Sequence, residues 1–170
     1  MEQLLKVENL RVSYHSYAGE VQSVRGVSFE VNKGETVAVV GESGCGKSVT
    51  SLSLMGLLGR GGRVSAGEAL FEGQDLLAMK EEELDRLRGD RISMVFQDPL
   101  TSLNPVFTIG RQIGESIRVH MGLGRAEADE RALVLLNKVG MPDAKAAMKK
   151  YPHMLSGGQR QRVMIAMALA

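Results

Sequence analysis

The 170 residues are enough for one compact unit with its own core, and 21 basic against 20 acidic residues leave a net charge of +1. A balance so near neutral gives no electrostatic ground for nucleic acid or an anionic membrane as the main ligand, so any binding must be local. One cysteine, Cys45, excludes an internal disulfide and fits a reducing compartment.

The opening stretch MEQLLKVENL carries Glu2 and Glu8 and no long apolar core, so it does not read as a signal peptide. The segments LLKVENLRVSY and VQSVRGVSFEV alternate apolar and polar residues with β-branched content, which predicts two half-buried antiparallel strands, with a turn at Asn32, Lys33 and Gly34. TVAVV at 36–40 is continuously apolar, as a strand covered on both faces is, and a helix is predicted over 47–58. The glycines of GRGGRVSAG then loosen the chain before a short strand, EALFE. KEEELDRLR reads as a solvated helix in which Glu82 and Arg86 stand one turn apart, and ISMVF at 92–96 reads as a further strand. Beyond DPLTSLNP the pattern turns helical. Ile109, Ile113 and Ile117 line one face. Ala128, Ala132, Leu135, Leu136 and Val139 line another, before Gly140 and Pro142 close that helix. No segment approaches the roughly 20 apolar residues of a membrane-spanning helix. His15, His120 and His153 are too scattered for metal-ligand spacing.

Two motifs carry chemistry. GESGCGKS at 41–48 fits G-x-x-x-x-G-K-[ST] between an apolar strand and a helix. Gly41, Gly44 and Gly46 let the backbone curl so that amide N–H groups converge on phosphate oxygens, and the start of the helix adds its positive end. Lys47 then stands on the β- and γ-phosphates as a point charge, and the Ser48 hydroxyl is the expected Mg2+ ligand. The plainer alternative is a glycine-rich turn with no ligand, and Cys45 reads as a small filler. LSGGQ at 155–159 puts two glycines at a helix N-terminus, where free amides face outward. Ser156 and Gln159 also have the spacing of a capping box, which would serve any helix. Taken alone, cap and function stand level; downstream of a phosphate loop, function is favoured.

In this order the segments resemble the ATP-binding subunits of ATP-binding cassette (ABC) transporters: GESGCGKS resembles the Walker A loop, VFQDP the Q-loop and LSGGQ the signature. The resemblance covers essentially the whole chain. FQDPLTSLNPVFTIGRQI and YPHMLSGGQRQRVMIAMALA are further similar to the D-type ATPases of oligopeptide and dipeptide importers, a pattern that nickel importers share. It implies an α/β P-loop NTPase fold with a RecA-like core, an antiparallel β subdomain and an inserted α-helical subdomain, incomplete at its C-terminus. Residues 1–98 would form the nucleotide-binding core, 99–155 the helical subdomain, and 156–170 the signature and the start of the helix returning to the core.

The implied cofactors are ATP and Mg2+. Gly41, Glu42, Ser43, Gly44, Cys45, Gly46, Lys47, Ser48 and Val49 would hold the nucleotide. Tyr14 would stack on adenine, although a strand-end core tyrosine reads the same way in sequence. Gln97 would reach Mg2+ and the attacking water and so, with Lys47, serve catalysis; an exposed strand-end amide is its plain alternative. Ser156, Gly157, Gly158 and Gln159 would close on the γ-phosphate held by a second ATPase subunit. The other implied partners are membrane permease subunits, met by the loop from Gln97 to Pro105, and a solute-binding protein beyond them, at the cytoplasmic face of the membrane; nucleic acid is not among them. An ABC ATPase continues into a Walker B strand ending in Asp-Glu and a switch histidine, so the chain is expected to be the first half of a longer polypeptide, with hydrolysis belonging to the whole. Two other classes stay open: a P-loop enzyme of another kind with Asp98 as its Mg2+ ligand, and a nucleotide-binding or dimerisation module that does not hydrolyse.

Overall fold

A computed structural model describes residues 2–17, 19–98 and 102–170. The chain divides into two compact units, Met1–Arg86 and Leu87–Ala170.

The first unit is built on the two alternating segments. They form β1 (Gln3–Ser16) and β2 (Gly19–Asn32), which pair antiparallel. β1 also pairs antiparallel with β3 (Gly62–Phe71), and the two-residue β4 (Gln74–Asp75) closes the sheet in the order β2-β1-β3-β4. Strict alternation would send Val7 and Leu10 to opposite faces, yet both are buried. A bulge reconciles them: Asn9 takes φ 47, and the register steps between Val7 and Leu10 on the β2 side and between Glu8 and Arg11 on the β3 side. Val12, Val24, Ala69 and Leu76 join Val7 and Leu10 in this core. The turn after β2 forms as expected, with Gly34 at φ 76 and the Glu35 amide donating to Asn32 O.

β3 is longer than the EALFE expected. The stretch GRGGRVSAG enters the ladder from Gly62 because Gly67, at φ 107, supplies the bulge opposite β1 that other residues would resist. The segments 36–40 and 92–96, expected as strands, pair with no strand among the described residues. A parallel strand needs a neighbour to take its N–H and C=O groups, and among the described residues the pairing goes no further than one isolated bridge, Arg88 with Ile92, where the Ile92 amide donates to Leu87 O and Ile92 O accepts from the Gly89 amide. Helix α1 (Lys47–Leu54) stops short of the expected 58, where Gly56 adopts φ 65 and its amide turns back to Ser53 O. Helix α2 (Glu81–Leu87) carries Glu81, Glu82 and Glu83 in its first turn, as the helix dipole favours.

The second unit is helical: α3 (Ile109–Met121), α4 (Arg125–Lys138), the short α5 (Ala144–Ala147), a 3-10 turn (Pro152–Met154) and α6 (Gly157–Ala168). Ile109, Ile113 and Ile117 of α3 are fully buried against Ala128, Ala132 and Leu136 of α4, and Leu155, Val163 and Ala166 complete the cluster. Both predicted apolar faces are therefore the core faces. The core also holds one polar side chain that the apolar pattern does not mark. Gln112 donates to Asn104 O and Phe107 O, and its Oε1 accepts from the Asn104 amide, so it fixes the segment entering α3. Gln112→Leu should cost about 1–3 kcal/mol, because Asn104 and Phe107 lose their partners; urea denaturation would measure it. No helix of the described residues is long and apolar enough to cross a membrane.

Candidate functional site

The phosphate-loop candidate runs from Gly41 into the first turn of α1. Gly46 is the N-cap of that helix, at φ 93, and a Cβ on it would lie 2.5 Å from Ser23 O on β2. The loop is thus seated against the sheet where only glycine fits. Thr50, buried one turn on, fastens it: its amide and its hydroxyl both donate to Gly46 O. A Cβ on Gly41 would meet Cys45 Sγ at 2.7 Å, whereas one on Gly44, at φ 83, would meet nothing within 4 Å. Gly44 is therefore free of packing, and its role is conformational.

Lys47 folds back over this loop. Its Nζ donates to Gly41 O at 2.8 Å and Glu42 O at 2.7 Å and lies 3.6 Å from Cys45 Sγ. Two carbonyls and the thiol take its three donors, and the long contact to the Cys45 sulfur, a weak acceptor, is the one a phosphate oxygen would most readily replace. No side chain caps α1 and its first turn holds no acid, so the orphan first-turn amides and the positive helix end are left for an anion. Ser48 is exposed beside them, with a hydroxyl suited to a hard cation such as Mg2+. Glu42, Ser43 and Cys45 are exposed and Val49 is half-buried. This donor set of lysine, open amides and hydroxyl fits a nucleoside triphosphate with its cation.

Tyr14 is half-buried on β1 opposite Gly62, whose Cβ would come within 2.9 Å of the Tyr14 ring. Its ring thus packs on the bare backbone of β3. Gln97, in the second unit, is exposed, and the neighbouring Asp98 O accepts from the Ser102 hydroxyl. Pro99 of VFQDP, with Leu100 and Thr101 of the loop assigned to permease contact, lies outside the described residues.

The signature segment does realise the capping box. The Gln159 amide donates to Ser156 Oγ at 3.3 Å, and the Ser156 amide donates to Gln159 Oε1 at 3.0 Å. Two arginines clasp the helix start from behind: Arg160 Nε donates to Leu155 O, and Arg162 donates to Gly140 O. Gly157 and Gly158 are exposed, with nothing within 4 Å of where a Cβ would stand. Capping does not exhaust the segment. The Ser156 hydroxyl accepts in the cap and keeps its proton to donate, and the two glycine amides stay open at a positive helix end. What sequence reasoning missed is the support: Ser23 under Gly46, Thr50 behind it, and the Arg160 and Arg162 clasp. Only Thr50, one helical turn after Gly46, left a readable signal.

The ABC transporter family model matches residues 24–170. The chain is 52% identical over 170 residues to the dipeptide transport ATP-binding protein DppD of Lactococcus lactis, covering 99% of this chain and 49% of that protein. It is 50% identical over 166 residues to the oligopeptide transport ATP-binding protein OppD of Salmonella typhimurium, covering 98% and 49%. The chain spans about half the length of the curated relatives it matches. Among solved structures it superposes on a dimeric structure of MJ0796, a bacterial ABC transporter cassette, with a TM-score of 0.87 at 27% identity, over 98% of this chain and 69% of that one. The same cassette matches equally well in a dimeric post-hydrolysis state bound to ADP and Pi. The expected α/β P-loop cassette with an antiparallel sheet and a helical insertion is the fold found.

Proposed function

The chain belongs to the ABC transporter family, and from that premise we propose that it is the ATP-binding part of an energy-coupling ATPase subunit of a peptide importer. The observation that carries this reading is Lys47 held over the loop by Gly41 O and Glu42 O, beside an α1 N-terminus that no side chain caps. Both features suit a bound triphosphate.

In this reading Gly41 to Val49 hold the nucleotide, Lys47 neutralises the β- and γ-phosphates, and Tyr14 faces the adenine. Ser48 and Gln97 would hold Mg2+, which would supply charge neutralisation for phosphoryl transfer. Gln97 also orients the attacking water. Ser156, Gly157, Gly158 and Gln159 present a hydroxyl and open amides to the γ-phosphate held by a second subunit, so ATP draws two subunits together head to tail. The dimeric MJ0796 cassette supports such a pairing, and relatives described as dipeptide and oligopeptide transport proteins support peptide import. Hydrolysis then belongs to the full subunit, which works at the cytoplasmic face of the membrane with permease subunits and, through them, a solute-binding protein.

Ser156 separates the cap from the function. Ser156→Asp keeps a capping oxygen and should hold stability within about 0.5 kcal/mol, whereas Ser156→Ala should lose about 0.5–2 kcal/mol with the cap. The carboxylate of Ser156→Asp would face the γ-phosphate of a second subunit, so ATP-driven association, read by sedimentation with a slowly hydrolysed analogue, should fail in that variant. Association as strong as in the wild type would remove the signature from the composite site.

A further inference from the structure

The outer face of the antiparallel sheet carries an arrangement of charge that works against a single chain. Val7 and Leu10 are both buried, so the bulge at Asn9 turns both Glu8 and Arg11 outward. Each then meets its own sign across the ladder. Glu8 stands directly opposite Glu68 on β3, and Arg11 directly opposite Arg25 on β2. All four are exposed. Like charges directly opposite one another destabilise a sheet, and among the described residues Glu68, Arg11 and Arg25 are in no ion pair. Around these pairs the face divides into two ends. Glu30, opposite Lys6, joins Glu8 and Glu68, and the Lys6 ammonium lies 2.7 Å from Glu8 Oε1. These carboxylates raise the Lys6 pKa above its ordinary value, through the hydrogen bond to Glu8 first and then the charges of Glu8, Glu30 and Glu68. At the other end Arg63, opposite Ser13, joins Arg11 and Arg25, with Glu20 beyond them opposite His15. Three carboxylates with one ammonium leave the first end at −2, and three guanidiniums with one carboxylate leave the second at +2.

A partner of one charge would match half of this face and be repelled by the other half. A second copy turned about a two-fold axis near Asn9 matches both, because an isologous interface makes every contact twice and complementary potentials choose the partner. We propose that this sheet face pairs two copies of the chain, with Glu8 and Glu68 of each set against Arg11 and Arg25 of the other. Each like-charged pair then finds the opposite sign above it. The pairing needs no ATP and uses neither the phosphate loop nor the signature, so it stands or falls apart from the nucleotide reading.

The test is sedimentation velocity of the 170-residue chain without nucleotide. The wild type should dimerise in about 20 mM salt and lose at least about tenfold in affinity in about 500 mM salt, where exposed charges are screened. Arg11→Glu combined with Arg25→Glu makes both ends acidic, and Glu8→Arg combined with Glu68→Arg makes both basic. Each double variant should sediment as a monomer. Both replace one like-charged pair by another, so circular dichroism should show the wild-type fold and a melting temperature close to it. Mixed in equal amounts, the two variants should associate at least as tightly as the wild type. A chain carrying all four reversals should pair with itself again. A merely structural effect of the substitutions would be rescued by neither. The proposal is overturned if the wild type is monomeric in low salt, if either double variant dimerises as the wild type does, or if the mixed variants stay apart.

Discussion

Gly46→Ala is expected to lower the stability of the first unit by about 3 kcal/mol and to remove nucleotide binding with it. Two costs combine. At φ 93 an L-residue meets its own carbonyl, for roughly 1–2 kcal/mol. The new Cβ also lands 2.5 Å from Ser23 O and 3.4 Å from Val24 Cγ2. A backbone oxygen of a strand cannot swing aside as a side chain can, so the loop itself must lift. Lifting it strains the two hydrogen bonds from Thr50 to Gly46 O and carries Lys47 away from Gly41 O and Glu42 O. Gly44→Ala is the internal control: φ 83 brings the same backbone cost, but no atom lies within 4 Å of its Cβ. It should lose only about 1–2 kcal/mol. Denaturant midpoints of the two variants decide the matter, and a Gly46→Ala no worse than Gly44→Ala would mean that the loop is not seated on β2.

Ile113→Ala should cost the helical unit about 2–5 kcal/mol. Ile113 is fully buried at the centre of the cluster, with Ile109 and Ile117 one turn away on either side. The backbones of α3 and α4 cannot close over the lost methyl groups without moving Gln112, whose three hydrogen bonds tie α3 to Asn104 and Phe107. The cavity should therefore stay open. Val119 on the same helix is 72% exposed, so Val119→Ala should fall within about 0.5 kcal/mol of the wild type. Hydrogen exchange should quicken together in α3, α4 and α6, which share the cluster. A loss for Ile113→Ala no greater than for Val119→Ala would contradict this description of the core.

What could be read from the residues beforehand followed how local the determining physics is. The helical faces were legible because Ile109, Ile113 and Ile117 encode burial by spacing alone. The antiparallel pair was legible for the same reason, since one buried face writes an alternating pattern. The bulge was not, because Asn9 and Gly67 act jointly across two strands and neither announces the other in sequence. The expected strands at 36–40 and 92–96 failed on a non-local condition: an apolar run states a preference for burial and says nothing of which neighbour will complete its ladder. At the site, the glycine spacing and Lys47 were legible because phosphate chemistry dictates them. Ser23, which meets the loop from behind, was not, because a backbone carbonyl carries no residue signature; Thr50 left a partial one, a hydroxyl one helical turn after Gly46. The signature's two readings proved compatible, since one hydroxyl can accept in a cap and still donate.

The central claim is that residues 41–49 form a triphosphate cradle whose charge comes from Lys47. The most direct test is calorimetric titration of the wild type and Lys47→Ala with Mg-ATP, with circular dichroism confirming that both are folded. The account predicts saturable binding to the wild type and a loss of at least about tenfold in Lys47→Ala, since a hydrogen bond to a charged group is worth roughly 1.5–3 kcal/mol. Equal affinity in a folded Lys47→Ala would contradict it.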